Sequence, residues 1–79
     1  MAKSNNIVHQ YYKKDFGEMT ILVRVNPILL KGTEITLLSN GTKELRELEF
    51  DENIEDDLKI DGFKTASPLE FNLHLMGLV

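Results

Sequence analysis

Asn40-Gly41 stands between two runs rich in strand-forming residues, Thr33 to Leu38 and Thr42 to Phe50. An Asn-Gly step at such a junction is a strong hairpin signal, because both residues tolerate the left-handed backbone that a tight turn needs. The charges then choose the register. A two-residue loop of Asn40 and Gly41 sets Glu34 opposite Glu47, a repulsive pair. A three-residue loop, Ser39 to Gly41, sets Glu34 opposite Arg46 and Ile35 opposite Leu45. Continued outward, it sets Lys31 opposite Glu49. Opposite charges facing each other across strands stabilise by roughly 0.2–1 kcal/mol, and like charges cost as much. The three-residue loop is therefore expected, with Gly41 left-handed in a bulge. A helix competes for part of this segment, since Lys43 to Glu49 is full of helix formers and Leu45 and Leu48 lie three apart.

Other strands flank this hairpin. Met19 to Val25 carries Met19, Ile21, Val23 and Val25 on one face and Leu22 on the other, and Asn26-Pro27 ends it. Ile7 to Lys14 suits either a strand or an amphipathic helix; its β-branched and aromatic residues favour the strand. At the C-terminus, Leu69 to Met76 places apolar residues at odd positions and Glu70, Asn72 and His74 between them. That alternation predicts a half-buried strand opened by Pro68. Asp51 to Leu58 reads as a short helix capped by Asp51, with Ile54 and Leu58 four apart and Asp61-Gly62 as the turn beyond. The expected fold is mainly β within the α+β class: four to five antiparallel strands in a curled sheet or small barrel, with one short helix before the last strand.

Residues 1–79 are room for one small domain. A chain of this size buries only about 60% of its unfolded surface, so a deep catalytic cleft is hard to build. Small domains often lean on disulfides, metals or partner subunits. With no Cys, disulfides and Cys-based metal sites drop out, leaving good packing or self-association. An apolar fraction of 42% argues against disorder. The polar start MAKSNNIVHQ lacks a signal-peptide pattern, and no run approaches membrane-spanning length, so a cytoplasmic location without membrane contact is expected.

The net charge of −4 is unevenly placed. Between Glu44 and Asp61, nine acids face only Arg46 and Lys59, so that stretch nets −7 and the rest +3. Glu52, Glu55, Asp56 and Asp57 are the candidates for meeting a basic protein partner, against a plain solvating role. A calcium loop beginning at Asp57 fails at two ligand positions, Lys59 and Pro68. Tyr11, Tyr12, Lys13 and Lys14 mix aromatics with basic residues, as small barrels that bind single-stranded nucleic acid do, although the acidic balance disfavours that partner. His9 and His74, with Glu70, are the residues nearest to a zinc set, and nothing in their spacing joins them. Nucleophile elbows, phosphate loops and metalloprotease motifs are absent, so no catalytic residue, metal or cofactor is nominated. Asn40-Gly41-Thr42 matches a glycosylation sequon but reads as the hairpin turn.

Met76, Leu78 and Val79 interrupt the C-terminal alternation, and Met76 and Leu78 put apolar side chains on its otherwise wet face. Such a patch wants cover, from the short helix or from a second chain. The functional expectation is a small intracellular domain acting through protein contacts, with itself or with a basic partner. The alternatives are a nucleic-acid-binding small barrel and, more weakly, a small enzyme.

Overall fold

The computed structural model describes residues 8–77. In chain order the elements are β1 (Gln10–Asp15), β2 (Met19–Asn26), β3 (Lys31–Leu38), β4 (Lys43–Glu49), α1 (Ile54–Ile60), β5 (Lys64–Thr65) and α2 (Pro68–Leu75). The five strands form one sheet in the order β4-β3-β2-β1-β5. Every neighbouring pair is antiparallel.

The first four strands are a meander whose turns follow from local chemistry. Asp15 Oδ1 accepts from the Gly17 amide at 2.8 Å, and Gly17 takes the left-handed backbone that closes the β1–β2 turn. Asn26 Oδ1 accepts from the amides of Ile28 and Leu29, both at 3.0 Å, holding the bend after Pro27. The β3–β4 register is the expected one: Lys31 faces Glu49, Glu34 faces Arg46 and Ile35 faces Leu45. Residues 39–41 form the loop, and Gly41 is left-handed at φ +90°. The segment 43–49 is thus a strand, and the competing helix is excluded by pairing along the whole of β4.

β2 runs through the centre, buried on both faces. On one face, Tyr12, Val23 and Val25 meet Leu58 of α1, with Ile21, Phe50, Ile54 and Phe63 packed around them. On the other, Leu22 and Ile35 meet Phe71 of α2, with Tyr11, Leu37 and Leu75 alongside. Gly32 lies where a side chain cannot: a Cβ there would stand 2.1 Å from the Arg24 carbonyl oxygen and 2.6 Å from the Phe50 ring. Ile54 and Leu58 face the core from α1 as their spacing predicts. The helix itself starts later than Asp51, which instead accepts from the Asn53 amide at 2.9 Å.

The C-terminal expectation is corrected. Leu69 to Met76 is not a strand; its residues to Leu75 belong to α2. Ser67 Oγ accepts from the amides of Leu69 at 3.1 Å and Glu70 at 3.4 Å, and Pro68 occupies the first helical turn. A serine N-cap followed by proline is a helix start, and the same proline could equally have opened a strand. Phe71 and Leu75 lie four apart, on one side of a helix, and both pack under the sheet, whereas Leu69 stays exposed. The last strand is instead the two-residue β5, which pairs with Tyr12 and Lys13. The small-barrel alternative is corrected too. The sheet is open, with β4 and β5 at opposite ends. A barrel would enclose one face of the sheet, and here each face has its own helix.

Two substitutions test this architecture by urea unfolding. Phe71→Ala should cost about 3–5 kcal/mol, since its ring is wholly buried. Ser67→Ala should cost about 1 kcal/mol through loss of the cap, and a neutral result would count against α2 being a helix.

Candidate functional site

Among the described residues, the longest stretch of unpaired backbone in the sheet is the outer side of β4. The Leu38 amide donates to the Thr42 carbonyl at 2.8 Å, and the Phe50 amide to the Leu30 carbonyl at 2.8 Å. In an antiparallel ladder, residues alternate between bonding the neighbour and pointing away. Even-numbered residues of β4 therefore bond β3, and Lys43, Leu45, Glu47 and Glu49 turn their amides and carbonyls outward. No strand lies beyond them among the described residues. The opposite edge, β5, offers only two residues.

Three side chains of β4, Lys43, Arg46 and Glu47, have partners within the chain. Arg46 Nη2 pairs with Glu34 Oε1 at 3.0 Å on the α1 face. On the α2 face, Arg24 Nη2 donates to Thr33 Oγ1 at 3.3 Å, and the Thr33 hydroxyl donates to Glu47 at 3.2 Å. The Arg24 guanidinium also lies 5.3 Å from the centre of the Phe71 ring. Lys43 Nζ donates to the His74 carbonyl at the end of α2. Leu45, in the middle, keeps 54% of its surface in solvent. Beside it a groove of about 640 Å³ runs along the part of the sheet bearing Met19, Ile21 and Thr36.

The acidic candidates divide in their roles. Glu55 Oε1 accepts from the Tyr12 hydroxyl at 2.6 Å, tying α1 to β1. Asp56 and Asp57 are exposed in the first turn of α1, where acids suit the helix dipole, and Glu52 is exposed in the turn before it. Among the described residues, no group of three or more His, Asp or Glu side chains is placed to hold a metal ion.

Tyr11, Tyr12, Lys13 and Lys14 alternate across the sheet and do not form one surface. Tyr12 is buried on the α1 face. Tyr11 packs edge-on against Phe71, with ring centres 5.5 Å apart, on the α2 face. Lys13 pairs with Glu70 at 2.7 Å, and Lys14 donates to the Asp61 carbonyl. Both lysines and Lys64 do line one groove of about 510 Å³, together with Asp15 and Glu70. His9 stands near Tyr11, with ring centres 6.5 Å apart. His74 is on α2, its Nδ1 buried without a hydrogen-bond partner among the described residues.

Met76 is 68% exposed, but at the C-terminal cap of α2 and not on a strand face. Leu78 and Val79 lie outside the described residues. No described helix is long and apolar enough to cross a membrane. The outer side of β4 was the feature that reading candidates one by one missed. Its signal was the hairpin register itself, which already assigned which backbone groups of residues 43–49 turn away from residues 31–38.

Comparison of the chain with models of known protein families, with characterised proteins and with solved structures gives no match.

One group carries a clear electrostatic signature. Burial first, then the hydrogen bond from its hydroxyl to Glu55 and the charges of Glu55 and Asp56, push the Tyr12 phenol from 10.0 up to about 12. The folded state holds this proton more tightly than the unfolded state does. The resulting stability is fully present below pH 10 and is lost as pH rises from 10 through about 12. Urea midpoints across that window should fall for the wild type and fall less for Tyr12→Phe. Parallel curves would remove the phenol as the cause.

Proposed function

We propose that this domain works by binding another protein chain, and that it does so by strand addition at the outer side of β4. The supporting observation is the seven-residue edge strand with four outward-facing residues and a half-exposed leucine at its middle. An extended chain laid there gains main-chain hydrogen bonds at every second residue, and side-chain contacts supply the selectivity. Native sheets usually blunt such edges by shortening or covering them. The β5 edge is blunted in this way, and the β4 edge runs its full length.

Leu45 is the place to test this. Its amide points away from β3, so proline there removes an outward donor without breaking the β3–β4 ladder. Extended peptides selected from a random library against the wild type should lose at least about tenfold in affinity for a folded Leu45→Pro variant, as expected for one lost hydrogen bond plus steric exclusion. They should bind Ile60→Lys, altered on exposed α1, as tightly as the wild type. Peptides that bind Leu45→Pro undiminished would overturn the reading.

A further inference from the structure

We propose that the chain occupying the β4 edge is a second copy of this protein, pairing β4 with β4 antiparallel about a two-fold axis through Leu45. This rests on the reading of β4 as a contact edge and names its occupant.

Register and charge together select this pairing. In an antiparallel pair, outward-facing residues must meet outward-facing residues. Two copies of β4 can therefore join only about an axis centred on one residue. With the axis at Leu45, Lys43 faces Glu47, Glu44 faces Arg46 and Leu45 faces itself; symmetry repeats each charged pair. The segment Lys43-Glu44-Leu45-Arg46-Glu47 is antisymmetric in charge about its central leucine, and antiparallel self-pairing turns that antisymmetry into attraction at every charged position. Other centres do not. An axis at Glu44, Arg46 or Glu47 sets that charge against itself, and one at Leu48 sets Glu47 against Glu49.

The rest of the structure fits this join. Residues facing each other across strands share a face, so the Lys43–Glu47 pairs fall on the α2 side and the Glu44–Arg46 pairs on the α1 side. The axis stands perpendicular to the sheet, which puts both copies of α1 on one side and both copies of α2 on the other. Thr33 already holds the Glu47 carboxylate, so that side chain is positioned before the partner arrives. Lys43 has three ammonium donors, and the His74 carbonyl takes one. The exposed Leu45 side chains meet at the axis and lose their solvent.

Charge reversal tests this directly, read as solution mass by light scattering alongside circular dichroism. The wild type should be a dimer. Lys43→Glu and Glu47→Lys, each placing like charges together twice, should each weaken the dimer by at least about tenfold. The double variant Lys43→Glu, Glu47→Lys restores attraction in the same register and should restore the dimer. Lys43→Glu also removes the bond to His74, but the double variant lacks that bond too, so rescue can come only from the register. Within a chain, residues 43 and 47 face the uncharged Leu37 and Thr33, so reversal creates no like-charge pair across β3 and β4. Leu45→Pro should be a folded monomer. A wild type that stays monomeric at about 1 mM would overturn the proposal, as would a double variant no tighter than its parents or a dimeric Leu45→Pro. None of these results would by itself remove strand addition, because the peptide measurement, made on protein diluted until it is monomeric, reads that separately.

Discussion

The structure depends on a central strand that is apolar on both faces. Val23 and Val25 of β2 point one way and Leu22 points the other, all buried. Neither face can be left to water, because each exposed side chain of this size forfeits about 1.5–3 kcal/mol. Among the described residues, those after β4 cover both. The chain crosses the first face as α1, adds β5 to the far edge, and returns across the second face as α2. Two short helices and a two-residue strand are the consequence of that demand.

The cost falls on the edges. With its helices spent on the two faces, nothing described shields the outer side of β4, while β5 keeps the other edge short. The edge is also an ordered surface. Lys43, Arg46 and Glu47 each have a partner within their own chain, which lowers the side-chain entropy that a binding partner would otherwise have to remove. The aromatic and basic residues of β1 are spent differently. Tyr12 and Tyr11 support opposite faces, and Lys13 ties the sheet to Glu70 of α2.

Much of this was legible in the chain itself, for local reasons. The β3–β4 register could be read because Glu34, Arg46, Lys31 and Glu49 leave one pairing free of like-charge contacts, and a turn fixes its strands over short distances. The end of β2 could be read because proline restricts its predecessor. The C-terminal segment misled because Leu69, Phe71, Leu73 and Leu75 satisfy period two, while Phe71 and Leu75 also satisfy a helical spacing. Ser67, as an N-cap, was the local tie-breaker, since Pro68 suits both readings. Likewise, the grouping of Tyr11 with Tyr12 follows sequence adjacency, which in a strand means opposite faces.

By itself the sequence determined the register and turn of the β3–β4 hairpin and the end of β2, because those are set by residues close to one another along the chain. It also determined that the chain must pack without disulfides. Only the tertiary structure decided that the segment after Ser67 is a helix, since the apolar face formed by Leu22 and Ile35 exists only once β2 and β3 have paired. The same assembly decided that the sheet stays open, because a sheet covered by helices on both faces has no interior to close around.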